Sequence, residues 1–311
     1  MRILIVDEVH PIFHEKMIAE GHTITELYEL SKSQLIDLLS NFDVLVVRSK
    51  FFIDEEIINA MPKGFIIARA GAGMDNINET LANAKGVILY NAPEGNRDAV
   101  AEHVIGMLLT FARNISIADA EIRNGVWLRE ENRGFELKGK TIGIIGYGNT
   151  GKALAKKLSG FEMKVIAYDK YLSNFSDNYA QQVSIDELKA EADIISLHIP
   201  LSSETSHMIN CHFLDTLAKK PFLINSSRGK VIKTSDLVVA LETGKVLGAA
   251  LDVLENERIN HLQHDEQEWY RKLIASKRVI LTSHIAGWTT ESYHKISLVL
   301  AQKLLNKDFF L

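Results

Sequence analysis

Two hydrophobic patterns alternate along most of the chain. Short runs rich in β-branched and aliphatic residues, such as residues 2–7 and 43–48, are separated by stretches with apolar residues at helical spacing, such as residues 33–39 and 55–61. Strands that alternate with helices in this way are typical of parallel sheets covered by crossover helices. The pattern therefore predicts an α/β fold.

The predicted strands fall into two groups, which indicates two sheets. The first group lies in the first third of the chain, at residues 2–7, 22–27, 43–48, 65–69 and 87–90. The second group lies at residues 141–145, 164–168, 193–198, 221–225, 248–252 and 279–282. A chain of 311 residues is long enough for each sheet to bury its own core.

Two helices complete the predicted organisation. Apolar residues at helical spacing predict a long amphipathic helix over residues 98–113, between the two sheets. No strand follows the last predicted helix, at residues 290–305, so we expect it to pack back onto the first sheet. The predicted domains are therefore residues 1–95 together with 289–311, and residues 96–288.

Composition and charge restrict the partners. The chain is 46% hydrophobic and 24% charged, and its net charge of -5 gives no general attraction to nucleic acid or to an anionic membrane. No apolar run approaches the roughly 20 residues that a membrane span needs, and the first residues lack a secretory signal. The single cysteine, Cys211, excludes an internal disulfide and fits a reducing cytoplasm. We expect its thiol to pack as a small hydrophobe, and the partner to be a small molecule.

A glycine turn carries the clearest chemical signal. Gly146, Gly148 and Gly151 have the G-x-G-x-x-G spacing and lie where a predicted strand runs directly into a helix. In that context the first glycine permits a tight turn, the second lets a pyrophosphate approach, and the third allows close helix packing. Asp169 ends the next strand, where a carboxylate binds the ribose hydroxyls of NAD and repels the 2′-phosphate of NADP. Lys170 weakens this preference, and a glycine-rich turn without a ligand is the alternative.

Three residues downstream of the turn suggest acid–base chemistry on an anionic substrate. Arg228 follows a predicted strand, and a guanidinium there can bind a carboxylate by paired hydrogen bonds; a surface arginine is the alternative. His284 follows another strand, and an imidazole titrates near neutrality, so it can exchange a proton with an alkoxide. Glu257 is the candidate partner that raises the pKa of the histidine and fixes its tautomer.

We expect no metal site. The histidine pairs His10/His14 and His207/His212 have no third candidate ligand nearby in the sequence. The cofactor that the residues support is NAD.

Four motifs carry a resemblance to a known family. They are the glycine turn with its aspartate, a Ser-Ser-Arg-Gly sequence, an Asp-Val-x-x-x-Glu segment and a His-x-Ala-Gly-Trp sequence. At these motifs the chain resembles the D-isomer-specific 2-hydroxyacid dehydrogenases. The resemblance implies two Rossmann-like or flavodoxin-like doubly wound parallel-sheet domains with an interdomain cleft that holds the active site, and a homodimer. Residues 96–288 would be the NAD-binding domain, and the discontinuous domain would bind substrate.

The resemblance also assigns roles to individual residues. Arg228 would orient the substrate, Glu257 would support the histidine, and His284 would be the acid/base. Asn149 and Thr150 would meet the pyrophosphate, and the remaining cofactor-binding candidates are Gly146, Tyr147, Gly148, Gly151, Asp169, His198, Ile199, Pro200, Ser226, Ser227, Asp252, Ala286 and Gly287. The substrate-binding candidates are Arg48, Ser49, Arg69, Ala72 and Gly73, of which Ala72 and Gly73 would donate backbone N–H groups to the substrate carboxylate.

Within the family, residues 47–50 and 69–76 match the pattern of the 3-phosphoglycerate dehydrogenases. This match implies NAD-dependent oxidation of 3-phosphoglycerate to 3-phosphohydroxypyruvate, a step of serine biosynthesis, with Arg48, Ser49, Lys50 and Arg69 at the phosphate or carboxylate end. One alternative is the same chemistry on an unphosphorylated acid such as glyoxylate or hydroxypyruvate. Another, from a different class, is a corepressor-like protein that senses NAD(H), because fold alone does not determine function.

Three further expectations follow from the comparison with the family pattern. Arg258 stands where the family commonly has proline, and residues 259–277 form a longer and more polar segment than usual. We expect no regulatory serine-binding domain. The helix at residues 98–113 and the region around Trp127 are the candidates for the dimer interface.

Overall fold

The chain divides into two compact units in the computed structural model, which describes residues 1–305. Unit 1 comprises Met1–Arg97 and Trp288–Leu311, and unit 2 comprises Asp98–Gly287. Residues 306–311, the end of the predicted segment 289–311, lie outside the described residues. Both units are built on parallel sheets, so the predicted α/β class is confirmed.

The sheet of unit 1 has five parallel strands in the order β2-β1-β3-β4-β5. This is the order of flavodoxin-like domains. Val44–Val47 is buried at every position, as expected for a central strand that helices cover on both faces. The strands are β1 Arg2–Ile5, β2 Thr23–Glu26, β3 Val44–Val47, β4 Ile66–Arg69 and β5 Ile88–Tyr90.

Helices from both ends of the chain cover this sheet. The last helix returns to unit 1 and packs on α1 and on strands β4 and β5. Its residues Leu300, Ala301 and Leu304 are buried beside Phe13 and Met17 of α1. The helices of unit 1 are α1 Pro11–Ala19, α2 Lys32–Leu38, α3 Glu55–Asn59, α4 Glu79–Ala84 and, at the end of the chain, α12 Thr290–Leu305.

The sheet of unit 2 has seven parallel strands in the order β12-β11-β10-β9-β6-β7-β8. Counted from β6, this is the dinucleotide-binding order, extended by one strand, and its switch point lies between β6 and β9. The structure adds a short strand, β8, that the apolar pattern did not predict because both of its residues are glutamine. The strands are β6 Thr141–Ile145, β7 Lys164–Tyr168, β8 Gln181–Gln182, β9 Ile194–Leu197, β10 Phe222–Asn225, β11 Gly248–Leu251 and β12 Val279–Leu281.

The long helix α5, Pro93–Ala112, begins five residues before the predicted start at Asp98. Proline at a first helical position followed by an acidic residue, here Glu94, is a common start signal. Val104, Met107 and Leu108 of this helix lie in the core of unit 2, so its apolar face is already covered within the chain. The other helices of unit 2 are α6 Ile115–Arg123, α7 Asn149–Leu158, α8 Ile185–Glu191, α9 Cys211–Asp215, α10 Thr234–Glu242 and α11 His264–Ala275.

Two smaller observations complete the fold. Cys211 is exposed at the start of the short helix α9, so the expectation that its thiol packs in the core is wrong. Among residues 1–305, no helix combines the length and the apolar character that crossing a membrane would require.

Candidate active site

The glycine turn joins β6 to α7 at the switch point of the unit 2 sheet. Gly146 has a φ of +95°, and a Cβ there would lie 2.4 Å from the carbonyl oxygen of His198. A Cβ on Gly151 would lie 2.2 Å from the carbonyl oxygen of Gly146. Both positions therefore require glycine for packing within the protein. A Cβ on Gly148 would meet nothing within 4 Å, so this glycine leaves open space beside the N-terminus of α7.

That open space fits the pyrophosphate of a dinucleotide. A helix N-terminus presents unpaired N–H groups and a favourable dipole to an anion. A second observation comes from the segment after β10, where the Ser226 hydroxyl oxygen is buried without a hydrogen-bond partner among the described residues. Buried polar atoms are rarely left in this state, so a bound group is the expected partner. The residues present thus fit a dinucleotide cofactor.

Asp169 is fixed at the end of β7 by backbone donors. Its Oδ2 accepts from the N–H of Tyr147 at 2.8 Å, and its Oδ1 accepts from Tyr171 at 2.9 Å and Leu172 at 3.1 Å. The carboxylate also lines a cavity of about 680 Å³. Because a carboxylate has about four acceptor positions, it retains capacity for a ribose hydroxyl.

Lys170, which we expected to weaken the preference for NAD, is engaged by a neighbouring acid. Its Nζ donates to Oε2 of Glu204 at 2.7 Å, and the Tyr171 hydroxyl donates to the same oxygen at 2.7 Å. The Lys170 pKa is raised, chiefly by this hydrogen bond. Glu204 therefore offsets the cation beside Asp169.

Two of the predicted cofactor residues have internal partners. The Tyr147 side chain is fully buried, stacks on Phe175, and donates its hydroxyl hydrogen to Asp177 at 3.0 Å, so only its backbone lies at the turn. Ser227 donates its N–H and its hydroxyl to Oδ1 of Asn225, at 3.0 and 2.8 Å. The side chains of Tyr147 and Ser227 therefore stabilise the glycine turn and the turn after β10.

The His198 side chain links β9 to helix α7. Its Nε2 lies 2.8 Å from the Ser196 hydroxyl, and its Nδ1 lies 3.2 Å from the Thr150 hydroxyl on α7. Burial lowers the pKa of His198 to about 4, so the ring is neutral at pH 7 and offers one donor and one acceptor. Ile199, the next residue, lies against Gly146. The exposed Pro200 accepts the Thr205 hydroxyl at its carbonyl, at 2.7 Å.

Asp252 shapes the loop that carries His284. The buried carboxylate accepts at Oδ1 from the Thr282 hydroxyl at 2.6 Å and from the N–H of Ile285 at 2.9 Å. Its Oδ2 accepts from the N–H of Ala286 at 2.9 Å, and its backbone carbonyl accepts from the N–H of His284 at 2.8 Å. This arrangement holds His284 at a φ of +58°, a conformation that L-residues seldom adopt.

His284 and Glu257 form a hydrogen-bonded ion pair. The Nδ1 of the imidazole lies 3.0 Å from Oε1 and 3.2 Å from Oε2 of the carboxylate, and both side chains are half exposed. The His284 pKa is raised, above all by the hydrogen bond to Glu257, while burial and the charge of Arg228 oppose that rise. Since Nδ1 is engaged, Nε2 is the atom free to exchange a proton with a substrate.

Arg228 comes to the same edge of the sheet. It follows β10, its guanidinium donates to the carbonyl of Ser227 at 2.7 Å, and its own carbonyl accepts from the Asn225 amide at 2.9 Å. A Cβ on the next residue, Gly229, would lie 1.8 Å from the carbonyl oxygen of Leu254. The Arg228 turn therefore packs directly on the segment that leads to Glu257. The structure thus brings Arg228, Glu257 and His284 together at the carboxyl ends of β10, β11 and β12.

One residue beside this site was not predicted from the sequence. His103 on α5 lies with Nε2 at 3.1 Å from the Thr282 hydroxyl and 3.5 Å from Oδ1 of Asp252. Because the Thr282 hydroxyl donates to Asp252, His103 must donate to Thr282. Only a histidine within a helical pattern marks this position in the sequence, which is too weak a signal to separate it from core packing.

The substrate-binding candidates lie in unit 1. The backbone N–H groups of Arg48, Ser49 and Lys50 all donate to Oδ2 of Asp7, at 2.7, 3.2 and 3.2 Å, so this group of donors is already occupied. The Arg48 guanidinium lies over the Trp288 ring, 4.4 Å from its centre. These three N–H groups are therefore not available to an anion, whereas the side chains of the same residues lie outside this network.

The second candidate loop follows β4. Its carbonyl groups are fixed by the segment after β5: Ala92 donates to Gly71 at 2.8 Å, and the Asn91 amide donates to Ala72 at 2.7 Å. The Arg69 guanidinium folds over Gly71, where a Cβ would overlap it. Ala72 and the following Gly73 remain partly exposed.

The comparison with known proteins decides the family. Residues 105–286 match the model of the D-isomer specific 2-hydroxyacid dehydrogenase, NAD binding domain. The chain belongs to the D-isomer specific 2-hydroxyacid dehydrogenases. The matched region lies within unit 2, and it contains the glycine turn and all three candidate catalytic residues. NAD is therefore its cofactor.

Individual members of the family differ in name and length. The chain is 36% identical over 278 residues to hydroxypyruvate reductase of Thermotoga maritima, covering 89% of each protein. It is 32% identical over 311 residues to D-3-phosphoglycerate dehydrogenase of Archaeoglobus fulgidus, but spans only 57% of that protein against 98% of its own length. D-lactate dehydrogenase of Aquifex aeolicus, solved with NAD and lactic acid, is 28% identical with a TM-score of 0.82, covering 98% of this chain and 94% of that one.

Proposed function

We propose that the protein interconverts a D-2-hydroxy acid and its 2-oxo acid with NAD. One observation carries the proposal: the pair of His284 and Glu257 lies beside the Arg228 turn, inside the family's NAD binding domain. A proton donor and a fixed cation are the two groups that reduction of an anionic 2-oxo acid requires from the protein.

The residues divide the reaction between them. Arg228 binds the substrate carboxylate and polarises the neighbouring carbonyl. The imidazolium of His284 gives its Nε2 proton to the carbonyl oxygen as negative charge develops there, and takes the proton back in the oxidation direction. Glu257 holds Nδ1 and stabilises the cationic ring. Bound NADH supplies the hydride.

For the cofactor, Asp169 binds the ribose, and the turn at Gly148 with Asn149 and Thr150 receives the pyrophosphate. We place the nicotinamide end near Asp252 and the backbone of Ala286 and Gly287. The buried Ser226 hydroxyl, which has no partner among the described residues, would gain one from the cofactor.

We propose 3-phosphoglycerate as the substrate. Support comes from the cationic side chains in unit 1, Arg48, Lys50 and Arg69, and from similarity to D-3-phosphoglycerate dehydrogenases. An unphosphorylated acid such as hydroxypyruvate or glyoxylate is the second candidate, because the chain covers most of a hydroxypyruvate reductase.

Steady-state rates separate the two candidates. NADH oxidation is measured with hydroxypyruvate, 3-phosphohydroxypyruvate and glyoxylate, for the native protein and for Arg48→Ala. Phosphate recognition requires a higher kcat/KM for the phosphorylated substrate, and Arg48→Ala must remove that advantage selectively. Equal efficiency on hydroxypyruvate and its phosphate ester would exclude the phosphorylated acid as the preferred substrate.

We also propose a cytoplasmic homodimer whose interface includes the apolar surface of α6 and the loop that follows it. Trp127 is 79% exposed, Ile115 and Ile122 are each 52% exposed, and Val126 is 41% exposed. Exposed apolar residues grouped in this way are typical of protein interfaces. Light scattering tests the proposal: Trp127→Ser should shift the protein towards the monomer, and a monomeric native protein would contradict it.

A further inference from the structure

Residues 259–277 depart from the family pattern, and the structure shows what this segment contains. After a single helical turn at Ile259–His261, it forms helix α11, His264–Ala275. Gln263 and Glu266 form a capping box that fixes the start of the helix. Tyr270 and Leu273 are buried on the inner face of the helix. The segment is therefore an anchored helix rather than an irregular loop.

Tyr270 holds the residue before Glu257. Its side chain is only 4% exposed, and its hydroxyl donates to the carbonyl of Asn256 at 2.5 Å and accepts from the N–H of Asn256 at 3.0 Å. One hydroxyl thus binds both backbone groups of a single residue. The Asn256 amide also donates to the two carboxylate oxygens of Glu266, at 3.3 and 3.2 Å.

The residue after Glu257 is tied to the same point. The backbone N–H of Arg258 donates to Oδ1 of Asn256 at 3.0 Å. Arg258 stands where the family commonly has proline, a residue that would restrict this backbone by itself. In this chain, the hydrogen bonds that Tyr270 and Glu266 of α11 make with Asn256 restrict the backbone instead. Glu257 therefore lies between Asn256 and Arg258, whose backbones are both held by hydrogen bonds. Its half-exposed carboxylate contacts the His284 imidazole.

We propose that Tyr270 is a positioning residue that acts through Asn256 to hold Glu257 against the imidazole of His284. The inference rests on the proposed function only for its catalytic consequence, because the contact between Glu257 and His284 is measurable without substrate. When the Tyr270 hydroxyl no longer bonds Asn256, Glu257 retains its charge but spends less time within hydrogen-bond distance of the His284 Nδ1.

The test follows the titration of His284 by NMR. Protein labelled with ¹³C at histidine Cε1 is titrated, and the His284 signal is assigned by its disappearance in His284→Ala. Glu257, Arg228 and Asp252 are the charged groups that act on this ring. The hydrogen bond to Glu257 raises the His284 pKa, so Tyr270→Phe should lower the titration midpoint by roughly 0.5 pH unit, and Glu257→Gln should lower it further. The double variant should titrate like Glu257→Gln alone.

Activity supplies an independent readout. Reduction of a 2-oxo acid needs the protonated imidazole, so its rate falls as pH rises through the His284 pKa. The fall should begin at lower pH in Tyr270→Phe, with the affinity for NADH within about twofold of native. If no 2-oxo acid is reduced by the native protein, the proposed function fails while the NMR test still decides the role of Tyr270.

Two controls separate positioning from general destabilisation. Tyr28→Phe removes a hydroxyl that donates to Glu26 at 2.5 Å in unit 1, and it should leave the His284 titration unchanged. Thermal unfolding of each variant is recorded in parallel. A Tyr270→Phe protein with a lowered melting temperature but the native titration midpoint would overturn the proposal, and so would a double variant whose midpoint lies below that of Glu257→Gln.

Discussion

At the scale of single residues, His284 has an environment suited to proton transfer. Its backbone is held by Asp252, its Nδ1 is engaged by Glu257, and the hydrogen bond to Glu257 raises its pKa, which favours the protonated ring. General acid–base groups typically contribute 10²–10⁴-fold to a rate. We predict that His284→Ala lowers kcat by about this factor while the Kd for NADH, measured by fluorescence titration, changes little. Near-native turnover would assign the proton to another group.

We propose that cofactor choice is also decided by single residues. Asp169 is the proposed ribose ligand, and the residue after it, Lys170, donates to Glu204. Glu204→Gln removes a negative charge and loosens Lys170, so we predict that NADPH binds about two- to fivefold more tightly while NADH binding is unchanged. Asp169→Ala should relax the preference further.

The matched control for this prediction is the double variant Glu204→Gln/Lys170→Ala, which should lose the gain in NADPH affinity. Both dissociation constants are measured by nicotinamide fluorescence, without substrate. An unaltered NADPH affinity in Glu204→Gln would show that the pair lies away from the 2′-phosphate position.

At the level of secondary-structure elements, the turn between β6 and α7 contains two glycines with different surroundings. Gly151 is packed against the Gly146 carbonyl, whereas Gly148 faces open space. We predict that Gly151→Ala lowers the melting temperature, because backbone atoms must move. Gly148→Ala should cost about 1 kcal/mol or less at this N-cap position but weaken NADH binding at least tenfold. Thermal unfolding and NADH titration of both variants check this, and full NADH affinity in Gly148→Ala would place the pyrophosphate elsewhere.

Most elements were predictable because their sequences carry local signals. A doubly covered strand such as Val44–Val47 appears as a continuous apolar run, and Arg228 and His284 each lie a few residues after an apolar run, β10 and β12. The strand Gln181–Gln182 carries no apolar signal and was missed. The start of α5 was placed too late because the apolar spacing was given more weight than Pro93.

The supporting residues of the site could not be predicted in the same way. Tyr270 reaches Asn256 across 14 positions, and His103 reaches Thr282 across 179. Contacts of this kind depend on how helices pack against the sheet, and neither helix has a pattern that distinguishes these side chains from core residues. The sequence thus indicates the candidate reactive groups more readily than the groups that hold them.

At the scale of the whole molecule, unit 1 depends on two segments from distant parts of the chain. Gly95, in the first turn of α5, lies against the backbone of Ile296 on α12, and a Cβ there would approach Ile296 to 2.6 Å. Lys303 of α12 bonds Glu94 at 2.9 Å and the carbonyl of Asn91 at 3.0 Å. The returning helix is therefore fixed to unit 1 by a contact that only glycine permits.

We predict that Gly95→Ala destabilises unit 1 by roughly 1–3 kcal/mol, the usual cost of overpacking. Gly106→Ala is the control on the same helix: outside the helix's own backbone no atom lies within 4 Å of its added Cβ, and it belongs to unit 2, so the unit 1 midpoint should not fall. Trp127 and Trp269 belong to unit 2 and Trp288 to unit 1. In a Trp127→Phe/Trp269→Phe background, urea unfolding followed by Trp288 fluorescence therefore reports on unit 1. Gly95→Ala should lower that midpoint, and an unchanged midpoint would show that α12 shifts to accept the methyl group without loss of stability.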